Sequence, residues 1–241
     1  MGRNLCIDIG NSRIKMALFE EGKVQNFSVF NDHSDNDISK WISANNFEKA
    51  IYSSVIKSSP PWLNLLSANV ELLQLNAAVK TPLKIHYKTP ETLGSDRVAA
   101  MVGAMSFSEN MPLFVVNAGT CITYDLVNQH AEFVGGNIAP GLDMRCKAMH
   151  TFTERLPEIK FHDPGSSFLG YDTISAMQNG ALQGVVLEIE GYYNKLKKNY
   201  LELKCIITGG NAAFLVNHLK IGIFAEPYLV LKGLNTILNY Q

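Results

Sequence analysis

Apolar positions along this chain fall into short alternating or continuous runs separated by breaks rich in glycine, asparagine and serine, and the runs form two series. The first series predicts strands over 4–9, 13–19 and 23–30, with the first two joined by the turn Gly10–Ser12. It continues with a β-branched strand over 49–56 and a short one at "LLQL". "DHSDNDISKWISANN" (32–46) is polar with helical periodicity, and "SSPPW" reads as a break. Helical spacing returns over 95–107, where Ser95 or Asp96 is placed to act as N-cap. The second series opens with "PLFVVN" and "CITYDLV" around a Gly-Thr turn, and "AEFVGGNI" extends the sheet. A helix then follows Pro140-Gly141, a long helix covers much of 171–199, "KCIITGG" (204–210) is a strand, and an apolar helix spans 227–240. Gly180, Gly184 and Gly191 lie inside the long helix. Each costs about 1 kcal/mol there relative to alanine, so close packing against a neighbour is expected to compensate.

The two series begin alike. "LCIDIGNS" aligns with "FVVNAGTC" at an offset of 109 residues, nearly half the chain. Each copy is a strand, a hydrogen-bonding turn and a returning strand. Hairpins of this kind are common, so an eight-residue echo also arises by accident. If it reflects duplication, two half-length domains would present their turns to one cleft, an arrangement suited to gripping a nucleotide's phosphates from two sides.

Composition narrows the classes. With 46% hydrophobic and 18% charged residues the chain reads as a globular protein able to bury a core. A formal charge of −1 argues against a nucleic-acid-binding surface, although it leaves room for a local anion site. No apolar run approaches the roughly 20 residues needed to span a bilayer, and Asp8 interrupts the N-terminus before a signal-peptide core could form. A cytoplasmic protein is expected. Cys6, Cys121, Cys146 and Cys205 are scattered without a CxxC pair and read as buried free thiols. The six histidines, from His33 to His218, show no ligand spacing.

The turns carry the candidate chemistry. Gly10 and Gly119 let backbone N–H groups approach an anion, and Asn11, Ser12 and Thr120 add hydrogen-bonding side chains. Asp8 would repel phosphate unless a cation lay between them, which implies Mg²⁺ held directly or through water. Lys15 is able to neutralise phosphate charge or merely to face solvent. There is no GxxxxGK[ST] loop, no GxGxxG fingerprint and no HExxH helix. ATP bound here would therefore be held by hairpin turns.

"DIGNS" (8–12), "GSDRVAA" (94–100), "NAGTCITYD" (117–125), "GGNIAPGLDMRCKAMHTFTERLP" (135–157) and "TGGN" (208–211) stand in the order found in type III pantothenate kinases, which the chain resembles over nearly its whole length. That family belongs to the acetate and sugar kinase/Hsp70/actin superfamily. The resemblance implies an α/β fold of two ribonuclease H-like, actin-like ATPase domains with an interdomain active-site cleft, here 1–112 and 113–241. It implies transfer of the ATP γ-phosphoryl group to pantothenate, giving 4′-phosphopantothenate, the first step of coenzyme A biosynthesis. A homodimer using Mg²⁺ and a monovalent cation, K⁺ or NH₄⁺, is implied as well.

By the same resemblance, Asp8, Ile9, Gly10, Asn11, Ser12, Arg13, Ile14 and Lys15 form the first phosphate motif, with Asp8 meeting Mg²⁺ through water. Gly119 and Thr120 form the second phosphate motif, and Gly209 and Gly210 the turn near the adenosine. Gly94, Ser95, Asp96 and Arg97 match the substrate motif, with Asp96 as proton acceptor. Tyr87 and Thr173 match substrate contacts, Thr173 in part from the dimer partner. The chemistry of this motif is coherent, since Arg97 offers a charge-assisted donor to the pantothenate carboxylate and Asp96 accepts the hydroxyl proton. At a helix start Asp96 is expected to have a low pKa and to be a weak base, which a loose phosphoryl-transfer transition state tolerates. Read without the resemblance, Ser95 and Asp96 equally suit helix caps, Tyr87 a packed aromatic and Thr173 an N-cap.

Two positions depart from the family, Asn117 the more consequential and Asn211 the milder. Asn117 stands where the family usually has an aspartate assigned to the monovalent cation. It keeps a carbonyl oxygen but loses the charge, so cation binding is expected to be weakened or replaced. Asn211 replaces a frequent acidic residue beside the adenosine turn, and Asp125 offers a second carboxylate for the metal or a water-facing strand end. Two other readings stay open: a different small-alcohol kinase of the same superfamily, and a non-catalytic nucleotide-binding regulatory relative.

Overall fold

The computed structural model describes residues 2–31, 35–108 and 110–241. His33 and the opening of the polar stretch at 32–34 lie outside the described residues. The elements run β1 (Asn4–Ile9), β2 (Ile14–Glu20), β3 (Lys23–Phe30), α1 (Asp35–Ser43), β4 (Lys49–Ser54), α2 (Pro61–Ser67), β5 (Glu71–Gln74), β6 (Lys84–Ile85) and α3 (Ser95–Met105). They continue with β7 (Leu113–Ala118), β8 (Cys121–Val127), β9 (Glu132–Pro140), α4 (Leu142–Thr151), α5 (Thr173–Lys197), β10 (Lys204–Thr208), α6 (Ala212–Val216), β11 (Ile223–Ala225) and α7 (Leu229–Asn239).

The chain divides into two compact units. The first comprises the stretch up to Asn110, Val127–Val134 and Tyr228–Gln241; the second comprises Met111–Leu126 and Gly135–Pro227. The sheet of the first has the order β3-β2-β1-β4-β5, with β1 antiparallel to β2 and parallel to β4, and β4 parallel to β5. The second sheet runs β6-β9-β8-β7-β10-β11, with the two-residue β6 added at the β9 edge and β10 parallel to both β7 and β11. Both units therefore use one wiring, a meander of three strands followed by two crossover strands on the other flank of the first. The echo between β1 and β7 is the start of that repeated wiring.

In the first unit Leu5, Ile7 and Ile9 of β1 pack with Ile14, Met16 and Leu18 of β2, Trp62, Leu63 and Leu66 of α2, and Ile38 of α1. The α2 helix occupies the stretch expected to be a break. Its proline is at the first helical position, where the missing N–H is not needed and the fixed φ favours the helix. In the second unit Ile122, Tyr124 and Leu126 of β8 face Leu182, Val185, Val186 and Ile189 of α5, and that alternation sends Thr123 and Asp125 to the opposite face.

The helix α7 returns to the first unit and crosses α3 at backbone contact. A Cβ on Gly103 would overlap the Leu229 carbonyl, and one on Gly233 the Ala99 carbonyl. In the long helix α5, by contrast, only Gly184 has such a neighbour, the Arg145 guanidinium. Gly180 and Gly191 face open space, so packing does not offset their cost. Cys6, Cys146 and Cys205 are buried free thiols as expected, whereas Cys121 is exposed.

The two kinds of helical glycine predict opposite signs. Gly191→Ala should stabilise the protein by up to about 1 kcal/mol, the ordinary helix preference. Gly233→Ala should destabilise it by about 1–3 kcal/mol, because the methyl meets a backbone that cannot yield. Chemical denaturation of both variants checks this, and equal signs would contradict the close crossing.

Candidate active site

The first unit assembles a carboxylate site at the ends of β1 and β4. The β1–β2 register sets Asp8 opposite Lys15, and the β1–β4 register sets it beside Ser53. The Ser53 hydroxyl, itself fully buried, donates to Asp8 Oδ1 at 3.0 Å. Between β1 and β2 the chain turns through Gly10, whose N–H donates to the Arg13 carbonyl at 3.0 Å, leaving Asn11, Ser12 and Arg13 exposed. Ile9 and Ile14 are fully buried, so their side chains frame this turn from the core and do not line its outer surface.

The start of α3 docks on the same strand ends. Ser95 Oγ accepts from the Ser54 N–H at 3.3 Å and lies 3.4 Å from the Ser54 carbonyl, to which it donates. This tie brings Asp96 near Asp8. Burial is the main cause that pushes the Asp8 carboxyl up to about 6; Lys15 opposes it, the Asp96 charge adds to it, and the Ser53 hydrogen bond opposes it. Burial also raises Asp96, outweighing the N–H of Arg97 and the Arg97 charge. The expectation of a low Asp96 pKa is thus overturned, because desolvation exceeds the helix-terminus effect. The N-cap is Gly94, and neither Ser95 nor Asp96 caps α3: Ser95 is spent on β4.

Beside the carboxylates lies an aromatic and cationic group. Tyr87 stacks on Phe133 with centroids 5.6 Å apart, and the Arg97 guanidinium sits 5.7 Å from the centroid of the same ring. Arg97 is 4% exposed, and such contact with a ring face is favourable for a buried cation. Phe133 is placed there because β6 pairs in parallel with the first residues of β9, Lys84 with Glu132 and Ile85 with Phe133. Sequence reasoning missed Phe133 and Ser53. Their signals were faint: a polar pair closing "KAIYSS", and the inward position in "EFV".

The second unit holds the other candidate turn. Gly119 N–H donates to the Cys121 carbonyl at 3.0 Å, and Thr120 is exposed. The start of α4 closes on it, since the Gly141 N–H donates to the Thr120 carbonyl at 3.0 Å and a Cβ on Gly141 would overlap the Gly119 and Thr120 carbonyls. Gly209, at φ +97°, lies against the Ala118 backbone with no room for a Cβ, and the Asn211 N–H donates to the Ala118 carbonyl at 3.1 Å. Gly119, Thr120, Gly141 and Gly209 thus form one cradle, with Gly210 exposed next to it. Asn117 is half-buried on β7 opposite Thr208 of β10, the same relation that Asp8 has to Ser53. Asp125 is 1% exposed, so of its two readings the water-facing strand end is ruled out. Thr173 is exposed in the first turn of α5. The cap there is Asp172, in a reciprocal capping box with Ser175. Among the described residues no three His, Cys, Asp or Glu side chains converge to hold a metal ion.

Comparison with known proteins adds the family. A family model described as type III pantothenate kinase matches residues 4–195. Similar curated proteins, each named type III pantothenate kinase, come from Phocaeicola vulgatus, 38% identical over 99% of this chain and 98% of the relative, and from Bacteroides fragilis, 41% identical over the same shares. Another, from Porphyromonas gingivalis, is 37% identical over 100% of both chains. Among solved structures, a Campylobacter jejuni protein described as a Baf family transcriptional activator superposes with a TM-score of 0.65 at 22% identity over 98% of both chains. A glucokinase from an Antarctic psychrotroph gives 0.53 at 13% identity over 100% of both. These likenesses show the fold, that of the sugar kinases and actin-like ATPases.

The raised Asp8 pKa has a consequence for stability. A carboxyl whose folded pKa lies above its unfolded value stabilises most below the unfolded pKa and loses that contribution as pH rises through about 6. Asp8→Asn, neutral throughout, should therefore be more stable than the parent at pH 8, on the order of 1–3 kcal/mol, with the advantage fading by about pH 4.5. Melting curves at the two pH values check this, and a pH-independent difference would contradict it.

Proposed function

This chain belongs to the type III pantothenate kinase family, and we propose from that premise how its residues divide the work. The enzyme is an ATP-dependent kinase that phosphorylates pantothenate for coenzyme A biosynthesis. We assign triphosphate binding to Asp8–Lys15 and to Gly119 and Thr120, the adenosine side to Gly209 and Gly210, and pantothenate to Tyr87, Gly94, Ser95, Asp96, Arg97 and Thr173. The observation that carries the assignment is the approach of Asp96, from the substrate motif, to Asp8, from the phosphate turn.

The divalent ion that accompanies ATP has a fitting donor in Asp8. Two neighbouring carboxylates, each with a pKa raised by burial, form a negative pocket that a cation would relieve. Bound there, Mg²⁺ supplies charge neutralisation for the phosphates. Lys15, across the ladder from Asp8, adds a second positive group. In the reaction the pantothenate hydroxyl oxygen bonds to the γ-phosphorus, the bond from that phosphorus to the β–γ bridging oxygen breaks, and ADP leaves. Asp96 takes the hydroxyl proton. Its raised pKa makes it a better acceptor than an exposed carboxylate, and in a loose transition state its main duty is to orient the hydroxyl. Arg97, held over Phe133, meets the substrate carboxylate.

Three finer readings belong with this proposal. Asn117 weakens the monovalent-cation site, since a carbonyl oxygen replaces a carboxylate. A second copy of the chain covers the apolar surface before and within the start of α5, where Phe168, Leu169 and Tyr171 are 60%, 73% and 86% exposed next to Thr173. The enzyme works in the cytoplasm; among the described residues no helix is long and apolar enough to cross a membrane.

ADP release measured with ATP–Mg²⁺ and a monovalent salt, with and without pantothenate, tests the reading. Turnover should require pantothenate, and Asp96→Asn should lower kcat by about 10²–10⁴-fold while ATP still binds. Full activity in that variant would remove Asp96 from its role. In K⁺ titrations Asn117→Asp should reach half-activation at a lower K⁺ concentration than the parent; superimposed curves would discard the altered cation site.

A further inference from the structure

The second unit contains a part-buried polar chain that the reaction as described does not use. Tyr124, on β8 and 2% exposed, donates its hydroxyl to Glu188 Oε2 of α5 at 2.9 Å. Arg145 of α4 reaches the same carboxylate through Nη2, 2.8 Å from Oε1 and 2.6 Å from Oε2. The guanidinium Nε is also committed, donating to the Pro140 carbonyl at 2.9 Å. The Arg145 side chain is 18% exposed and that of Glu188 36%, so this ion pair is part-buried, less open to screening than a fully exposed pair. Space for it depends on Gly184, since a Cβ there would approach Arg145 Nη1 to 2.9 Å.

What this chain grips is informative. Pro140 is the last residue of β9, and the next residue, Gly141, is the one whose N–H holds the Thr120 carbonyl and whose missing Cβ lets Gly119 and Thr120 pack against it. A guanidinium fixed at one end by Glu188 and Tyr124 thus fixes the Pro140 peptide at the other, one residue from the turn. Free rotation of that peptide would move the Gly141 N–H off Thr120.

We infer that Tyr124, Glu188 and Arg145 act as a brace that sets the conformation of the Gly119–Thr120 turn, making Arg145 a positioning residue for the ATP phosphates. The inference rests on the assignment of that turn to phosphate binding. None of the three side chains needs to touch nucleotide. The brace acts through the backbone, so its loss disturbs ATP more than pantothenate.

Steady-state kinetics of the full chain, varying ATP and pantothenate separately, tests this. Glu188→Gln keeps shape and removes the charge. Arg145→Lys keeps charge but cannot hold Glu188 and the Pro140 carbonyl together. Both should raise KM for ATP about ten- to hundred-fold, the scale of a misplaced binding group, with KM for pantothenate within about two-fold of the parent. Tyr124→Phe, which loses one hydrogen bond to Glu188, should show a smaller rise in the same parameter. A merely structural role would lower the active fraction and hence kcat, leaving both KM values in place. Unchanged KM for ATP in the first two variants, or equal rises for both substrates, would overturn the brace. If the parent itself shows no pantothenate-dependent turnover, the functional assignment fails separately. ATP affinity of the same variants by calorimetry then decides the brace, weakened affinity supporting it and unchanged affinity overturning it.

Discussion

Two carboxylates held together where water is scarce set the terms for the first unit. Asp8 and Asp96 each resist ionisation, and Asp8 does so partly because of its neighbour. Nothing in the local sequence would favour this unless something else required it. The surrounding structure restrains the cost without removing it: Lys15 across the ladder, the Ser53 hydroxyl at 3.0 Å, and the first-turn N–H of α3. A site so built is tuned to receive a cation, which would offset the cost of holding both carboxylates ionised. The docking of Ser95 on Ser54 is what makes the arrangement hold, since it ties the helix that carries Asp96 to the strand that carries Ser53.

The repeated wiring shows how one topology serves two purposes. In the first unit the residue before the turn is a carboxylate facing a buried serine; in the second it is Asn117 facing Thr208. The position is the same and the charge is gone. Around it the second unit invests in shape: glycines at 141 and 209 that admit backbone against backbone, and a part-buried arginine–glutamate–tyrosine chain behind them. One turn is built around electrostatics and the other around fit.

Much of this was legible in the sequence. The two hairpins, the helix that begins within "GSDR" and the long α5 follow from periodicity and turn residues, and five ordered motifs pointed to the family. What stayed hidden depended on tertiary contacts. The two-residue β6 is too short to show a pattern and exists only because β9 offers an edge. Phe133 joins Tyr87 and Arg97 through that pairing, which no local signal encodes. The direction of the Asp96 pKa was misjudged because helix position is visible in sequence and burial is not. The α2 helix was masked by a proline pair that reads as a break but starts a helix when the second proline occupies its first position.

The crossing of α7 over α3 bears on how the protein is made. The first unit is assembled from three separate stretches of chain, and its tightest helix contact joins residues near 100 to residues near 230. During synthesis the amino-terminal strands leave the ribosome early, yet their unit stays unfinished until nearly the last helix emerges. The usual order, in which the domain translated first is completed first, is thus reversed here: the second unit's chain is fully available while the first still waits with α3 uncovered. Nascent-chain quality control would accordingly meet an exposed helix face throughout the translation of residues 111–227.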